Sequence, residues 1–70
     1  MRAEVESLGY KHIGSLWFSN DDDSQRIRLW KGNELDIWKW SPSEDYREIV
    51  FRGKLFNLAE LEFILNRCFK

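Results

Sequence analysis

From residue 10 to residue 56 the chain alternates short β-branched and aromatic runs with clusters of turn residues, and this rhythm constrains the fold more than any other feature. Connections this short join antiparallel neighbours, because a parallel pair needs a crossover of roughly a dozen residues or more. The spacing predicts four strands, at about 11–19, 25–31, 35–40 and 46–55, separated by Asn20-Asp21-Asp22-Asp23, Gly32-Asn33-Glu34 and Ser41-Pro42-Ser43-Glu44-Asp45. Each interruption has a chemical reason. Pro42 cannot donate to a ladder, and Gly32 and Asn33 tolerate positive φ.

After residue 56 the period changes. Asn57 stands three residues before Glu60, the spacing of a capping box, and Phe56 and Leu61 sit where a hydrophobic staple would clamp the entry. No Gly or Pro follows, so a helix is expected over 58–69. At about 100° per residue, Leu58, Leu61, Ile64, Leu65, Cys68 and Phe69 share one face, which is the core side, while Phe63 points away from it. Val5 and Leu8, three apart and followed by Gly9, predict a short helix over 2–8. Two turns do not hold alone, so this helix must lean on the sheet or on another subunit. The reading is one small α+β domain over 1–70: a four-stranded meander covered on one face by the C-terminal helix.

At 70 residues such a domain is short of core, since folding buries only about 60% of the extended chain's surface. The usual aids are missing. Cys68 is the only cysteine and His12 the only histidine, which rules out an internal disulfide and the ligand set of a structural zinc site. Self-association and an aromatic core remain as ways to supply burial.

Turn lengths then decide which alternate positions share a face. Simple counting pairs Lys31 with Leu35, which sets Leu29 opposite Ile37, Arg28 opposite Trp38 and Arg26 opposite Trp40. It pairs Trp40 with Tyr46, Trp38 with Glu48, Asp36 with Val50 and Ile37 with Ile49. For the first hairpin it pairs Ser19 with Ser24, Leu16 with Ile27 and Trp17 with Arg26. One face then carries Leu16, Phe18, Ile27, Leu29, Leu35, Ile37, Ile49, Phe51 and Leu55, the expected core. The other carries all four tryptophans, Trp17, Trp30, Trp38 and Trp40, with Arg26, Arg28, Asp36, Tyr46, Glu48, Val50, Arg52 and Lys54. Too little chain remains to bury it. Trp, Tyr and Arg dominate binding hot spots because they offer large rigid area with polar handles, although Arg stacked across a strand from Trp also stabilises a solvated sheet.

Groups for catalysis are sparse. His12 has no obvious partner, Cys68 lies on the apolar helix face as a small hydrophobe, and Asn20–Ser24 lacks the alternate spacing of a calcium loop. No phosphate-cradling glycine loop, metal-binding histidine pair or nucleophile elbow is present, so no enzyme, metal or cofactor is expected. No apolar run approaches the roughly 20 residues of a membrane span, and the lone cysteine suits a reducing compartment; a cytoplasmic location is expected. The net charge of -1, with Asp36 and Glu48 on the aromatic face, opposes a grip on long nucleic acid.

A small nucleotide asks for less: one or two stacks, a cation for each phosphate and a carboxylate for ribose or base edges. The sequence therefore predicts a non-enzymatic protein that captures an anionic aromatic ligand, such as a nucleotide or cyclic nucleotide signal, at a junction between its own subunits. The site residues expected are Trp17, Arg26, Arg28, Trp30, Trp38, Trp40, Tyr46 and Arg52. The alternative is an inhibitor or adaptor that turns the same face, or Phe63 and the outer helix surface, against a host protein, a role suited to a virus or mobile element.

Overall fold

The computed structural model describes residues 1–69 and has five strands rather than four. A short helix α1 (Arg2–Ser7) leads into β1 (Lys11–Gly14), β2 (Trp17–Ser19), β3 (Gln25–Leu29), β4 (Glu34–Ser41) and β5 (Tyr46–Lys54), and α2 (Leu58–Phe69) closes the chain. The strands pair antiparallel in the order β1-β2-β3-β4-β5. The extra strand arises because the expected run 11–19 folds back on itself, with Gly14 at φ 143 and Ser15 at φ 48. A glycine inside an apparent strand supplies that reversal. Leu16, expected in the core, falls in this turn and is 41% exposed.

The helices follow their local signals. The Asn57 side chain accepts from the Glu60 N–H at 2.9 Å, while Glu60 reaches one residue further back than the capping box requires, to the Phe56 N–H at 2.8 Å. Phe56 stays 62% exposed above a fully buried Leu61, so the staple does not close. Gly9, at φ 94, ends α1 as its Cβ-free position allows, with its N–H on the Glu6 carbonyl. Both helices lie on the same side of the sheet, where Val5, Phe18, Ile27, Leu35, Ile37, Leu55 and Leu61 form the core. Leu8, Leu29, Phe51, Ile64, Leu65 and Phe69 pack around them. Tyr10, absent from the expected core, is buried there and donates to Gln25 Oε1 at 2.5 Å.

Register explains which face expectations hold. Across β3–β4, Leu29 opposes Leu35, Arg28 opposes Asp36 and Arg26 opposes Trp38, two residues away from simple counting. The turn keeps three residues but sits one position earlier, at Lys31-Gly32-Asn33, with the Trp30 N–H on the Glu34 carbonyl and Gly32 at φ 66. Across β2–β3 the shift is also two, so Trp17 opposes Arg28 and Phe18 opposes Ile27. Shifts of two leave every side chain on its face.

Across β4–β5 the shift is one at the turn end and becomes two beyond a bulge at Val50, which restores the expected faces there. Ser41 opposes Tyr46, Lys39 opposes Glu48, Trp40 opposes Arg47 and Trp38 opposes Ile49. Beyond the bulge Ile37 opposes Phe51 and Asp36 opposes Arg52. An unpaired residue on one strand flips the faces on its two sides relative to each other. Tyr46 and Glu48 therefore move to the helix side, and Val50 packs towards the core. Ile49, expected in the core, is 38% exposed beside Trp38.

Candidate functional site: the Trp/Arg face

Opposite the helices, strand alternation gathers Trp17 from β2, Arg26 and Arg28 from β3, Asp36, Trp38 and Trp40 from β4, and Arg47, Ile49, Arg52 and Lys54 from β5. Trp17, Trp38 and Trp40 form a triangle of tilted and edge-on rings with centroids 5.7 to 6.3 Å apart. Such tilted contacts suit the ring quadrupoles. Arg28 lies 4.8 Å from the Trp17 ring and 4.5 Å from Trp30, and Arg26 lies 4.1 Å from Trp40. The cations are interleaved with the rings.

Asp36 organises this layer. It is 1% exposed and accepts from Arg28 Nε and Nη2 at 3.0 and 2.6 Å, from Arg52 Nε at 2.9 Å and from Trp30 Nε1 at 3.1 Å. Burial alone would push its carboxyl up. The hydrogen bonds from Arg52, Arg28 and Trp30, with the charge of Arg28, outweigh that and hold it below 3.8. Arg26 is paired in the same manner with Asp23, at 2.7 and 2.8 Å, and the hydrogen bond from Arg26 keeps the Asp23 carboxyl low. All three arginines expected at the site, Arg26, Arg28 and Arg52, are thus engaged by carboxylates of the chain itself.

Seven of the eight expected site residues share this side of the molecule, and Tyr46 does not. It lies on the helix side, where it donates to Glu48 and lines a hollow with Gln25, Lys39, Trp40 and Phe69. Arg47 takes its place on the aromatic face, 5.7 Å from the Trp40 ring. Trp30 stands apart from the triangle, 42% exposed, at one end of the sheet. There a concavity of about 580 Å³ opens between the β3–β4 turn and the end of β5, lined by Trp30, Glu34, Leu35, Asp36, Arg52, Gly53 and Lys54. Sequence reasoning placed Asp36 on this face but missed that it anchors Arg28, Arg52 and Trp30. Its position inside an alternating Arg and Trp set was the available signal.

Two cations in the concavity keep donors for something else. Arg52 is 61% exposed, and its Nη1 makes no hydrogen bond among the described residues; Lys54 makes no ion pair among them. The Trp38 indole N–H is shielded from solvent and has no acceptor among the described residues.

Elsewhere, His12 Nε2 lies 2.7 Å from the Ser15 carbonyl in the β1–β2 turn. The Cys68 thiol approaches the Val50 carbonyl at 3.7 Å and is pushed up by burial. Among the described residues no three His, Cys, Asp or Glu side chains converge to hold a metal ion, and no helix is long and apolar enough to cross a membrane. Compared with protein-family models, curated proteins and solved structures, the chain matches none of them.

Proposed function

We propose that this protein is a non-enzymatic binding module that captures a planar anionic ligand of the nucleotide class at the end of its Trp/Arg face. The observation that carries the reading is the 580 Å³ concavity, in which an exposed indole stands beside two cations with donors to spare. Asp36 fixes both Arg52 Nε and Trp30 Nε1, so the stacking ring and one phosphate contact are held in place before a ligand arrives. Trp30 would stack the base, Arg52 and Lys54 would meet the phosphate, and Glu34 would accept from a ribose hydroxyl or base amine. With its lone thiol kept reduced, such a module would work in the cytoplasm.

Calorimetric titration with a panel of nucleotides and cyclic nucleotides tests this. Trp30→Ala should cost about 1 to 3 kcal/mol at every salt concentration, as a stacking contact does. Lys54→Ala should weaken binding most at low salt. If no nucleotide binds tighter than about millimolar, the reading fails.

A second reading is favoured by the engagement of Arg26 and Arg28 with Asp23 and Asp36. A ridge whose cations are already neutralised fits a protein surface better than a phosphate, as in an inhibitor or adaptor. Capture of one defined protein partner, lost on Trp38→Ala with the fold intact, would select it.

A further inference from the structure

We infer that the ligand is a ribonucleoside 5′-phosphate recognised through its sugar, with Glu34 accepting from the 2′- and 3′-hydroxyls. This rests on the proposed capture of a nucleotide and narrows it to one class. It comes from the order in which side chains cross the open end of the sheet. The Trp30 N–H donates to the Glu34 carbonyl, and Glu34 opposes Lys54, so Trp30, Glu34 and Lys54 stand in one row on the Trp/Arg face. All three line the concavity. Neighbouring strands lie about 4.8 Å apart, so the row presents a ring, a carboxylate and an ammonium in the order, and on the scale, of base, ribose and phosphate.

The next row inward is Arg28, Asp36 and Arg52. Its carboxylate is already committed. Asp36 Oδ1 accepts from Arg52, and Oδ2 accepts from Arg28 and Trp30. Glu34 is exposed, and among the described residues it is the concavity's one carboxylate with both oxygens free. A carboxylate only accepts, so the ligand group that meets it must donate.

Direction decides between sugar and base. The pairing edge of a base lies on the side remote from its glycosidic bond. A base stacked on Trp30 with that edge towards Glu34 would send its sugar and phosphate away from β5, out of reach of Arg52 and Lys54. Turned the other way, the same base sets its ribose over Glu34 and its phosphate at Lys54 and the spare Nη1 of Arg52. The vicinal hydroxyls then give two donors to two carboxylate oxygens. Arg28 covers one face of the Trp30 ring at 4.5 Å and does not line the concavity, so the base takes the other face. Leu35 and Gly53, which complete the lining, bring no polar side chain to the base edge. Stacking alone tolerates any base, and selectivity lies in the sugar.

The test is calorimetric titration of the full chain with adenosine 5′-monophosphate, its 2′-deoxy and 3′-deoxy analogues, and guanosine 5′-monophosphate. Each deoxy analogue lacks one donor to a charged acceptor and should bind at least about tenfold more weakly than the parent. The guanosine compound should bind within about threefold of the adenosine one. Glu34→Ala, made at an exposed position, should bring the preference for ribose over 2′-deoxyribose to within about threefold, the coupling expected of a direct contact. Far-UV circular dichroism confirms that the variant is folded, and the comparison of ligands on the wild type needs no variant. A deoxy analogue bound as tightly as its parent, a ribose preference that survives Glu34→Ala, or a tenfold choice between the two bases would overturn the inference and leave nucleotide capture standing. Failure of all four compounds to bind would overturn both.

Discussion

Replacing Asp36 by Asn keeps the shape of the side chain and removes the charge at the centre of the Trp/Arg layer. Asp36 is 1% exposed and receives hydrogen bonds from three side chains, two of them guanidinium groups. An asparagine offers one oxygen to those donors and turns its own N–H groups towards the rest. Removing one partner of a buried pair costs about 3 to 5 kcal/mol. Arg28 is 23% exposed and Arg52 61% exposed, so solvent recovers part of that, and about 3 kcal/mol is the expected loss.

A domain of this length holds roughly 4 to 10 kcal/mol in all, so the variant should lose a third or more of its stability. Arg28→Met should cost less, about 2 kcal/mol, because Asp36 keeps Arg52 and Trp30. Arg52→Ala should cost under about 1 kcal/mol, since solvent screens an exposed guanidinium. Urea unfolding followed by tryptophan fluorescence gives the three values in one assay.

The pH dependence supplies an independent check. The folded carboxyl is held below 3.8, so its contribution is complete above that value and disappears as pH falls through the folded pKa. The gap between wild type and Asp36→Asn should therefore be widest near neutrality and narrow in acid. A midpoint within about 0.5 kcal/mol of wild type, or a larger loss for Arg52→Ala than for Asp36→Asn, would refute the assignment of Asp36 as the organising group.

Two further outcomes follow from the helix entry and the core. Asn57→Ala removes the acceptor for the Glu60 N–H and should lower stability by about 1 kcal/mol, read from the denaturant midpoint, with α2 content preserved in circular dichroism. Tyr10 has its phenol pushed up from 10.0 to about 12 by burial, so the neutral form favours the folded state. Stability should hold up to about pH 10 and decline from there to about 12, and Tyr10→Phe should flatten that decline in alkaline unfolding curves.

The sequence carried the layer plan because the two periods are clean. Helix α2 could be placed by Asn57, Glu60 and an uninterrupted apolar stripe, and the sheet by alternation between turn clusters. Even mistaken strand registers did little harm: β2–β3 and β3–β4 slip by two, which changes partners but not faces. Thus Trp17, Trp38, Arg26 and Arg28 came out on the correct side. The bulge at Val50 was different, because one extra residue reverses the alternation.

Nothing in Tyr46–Phe51 distinguishes that bulge from regular strand, so Tyr46 was placed on the site face and Arg47 and Ile49 were not. Gly14, by contrast, was a readable signal of the hairpin that divides β1 from β2. The bonds of Asp36 to Arg28, Arg52 and Trp30 depend on the final register to within one residue. Composition and alternation do not reach that far.

The Val50 bulge also governs what the outer edge of β5 can accept. A nine-residue edge strand with free N–H and C=O groups is ordinarily a template on which further copies add, strand upon strand, into a fibre. Here the reversal of alternation leaves one antiparallel self-pairing that keeps matching faces along the whole strand, and it sets Arg47 against Lys54, twice over. Like charges directly opposite destabilise a strand pair. Regular alternation through residue 50 would instead allow Glu48 to face Arg52 of a second copy, an attractive pairing that propagates. The extra residue therefore resists the growth of this sheet into a polymer.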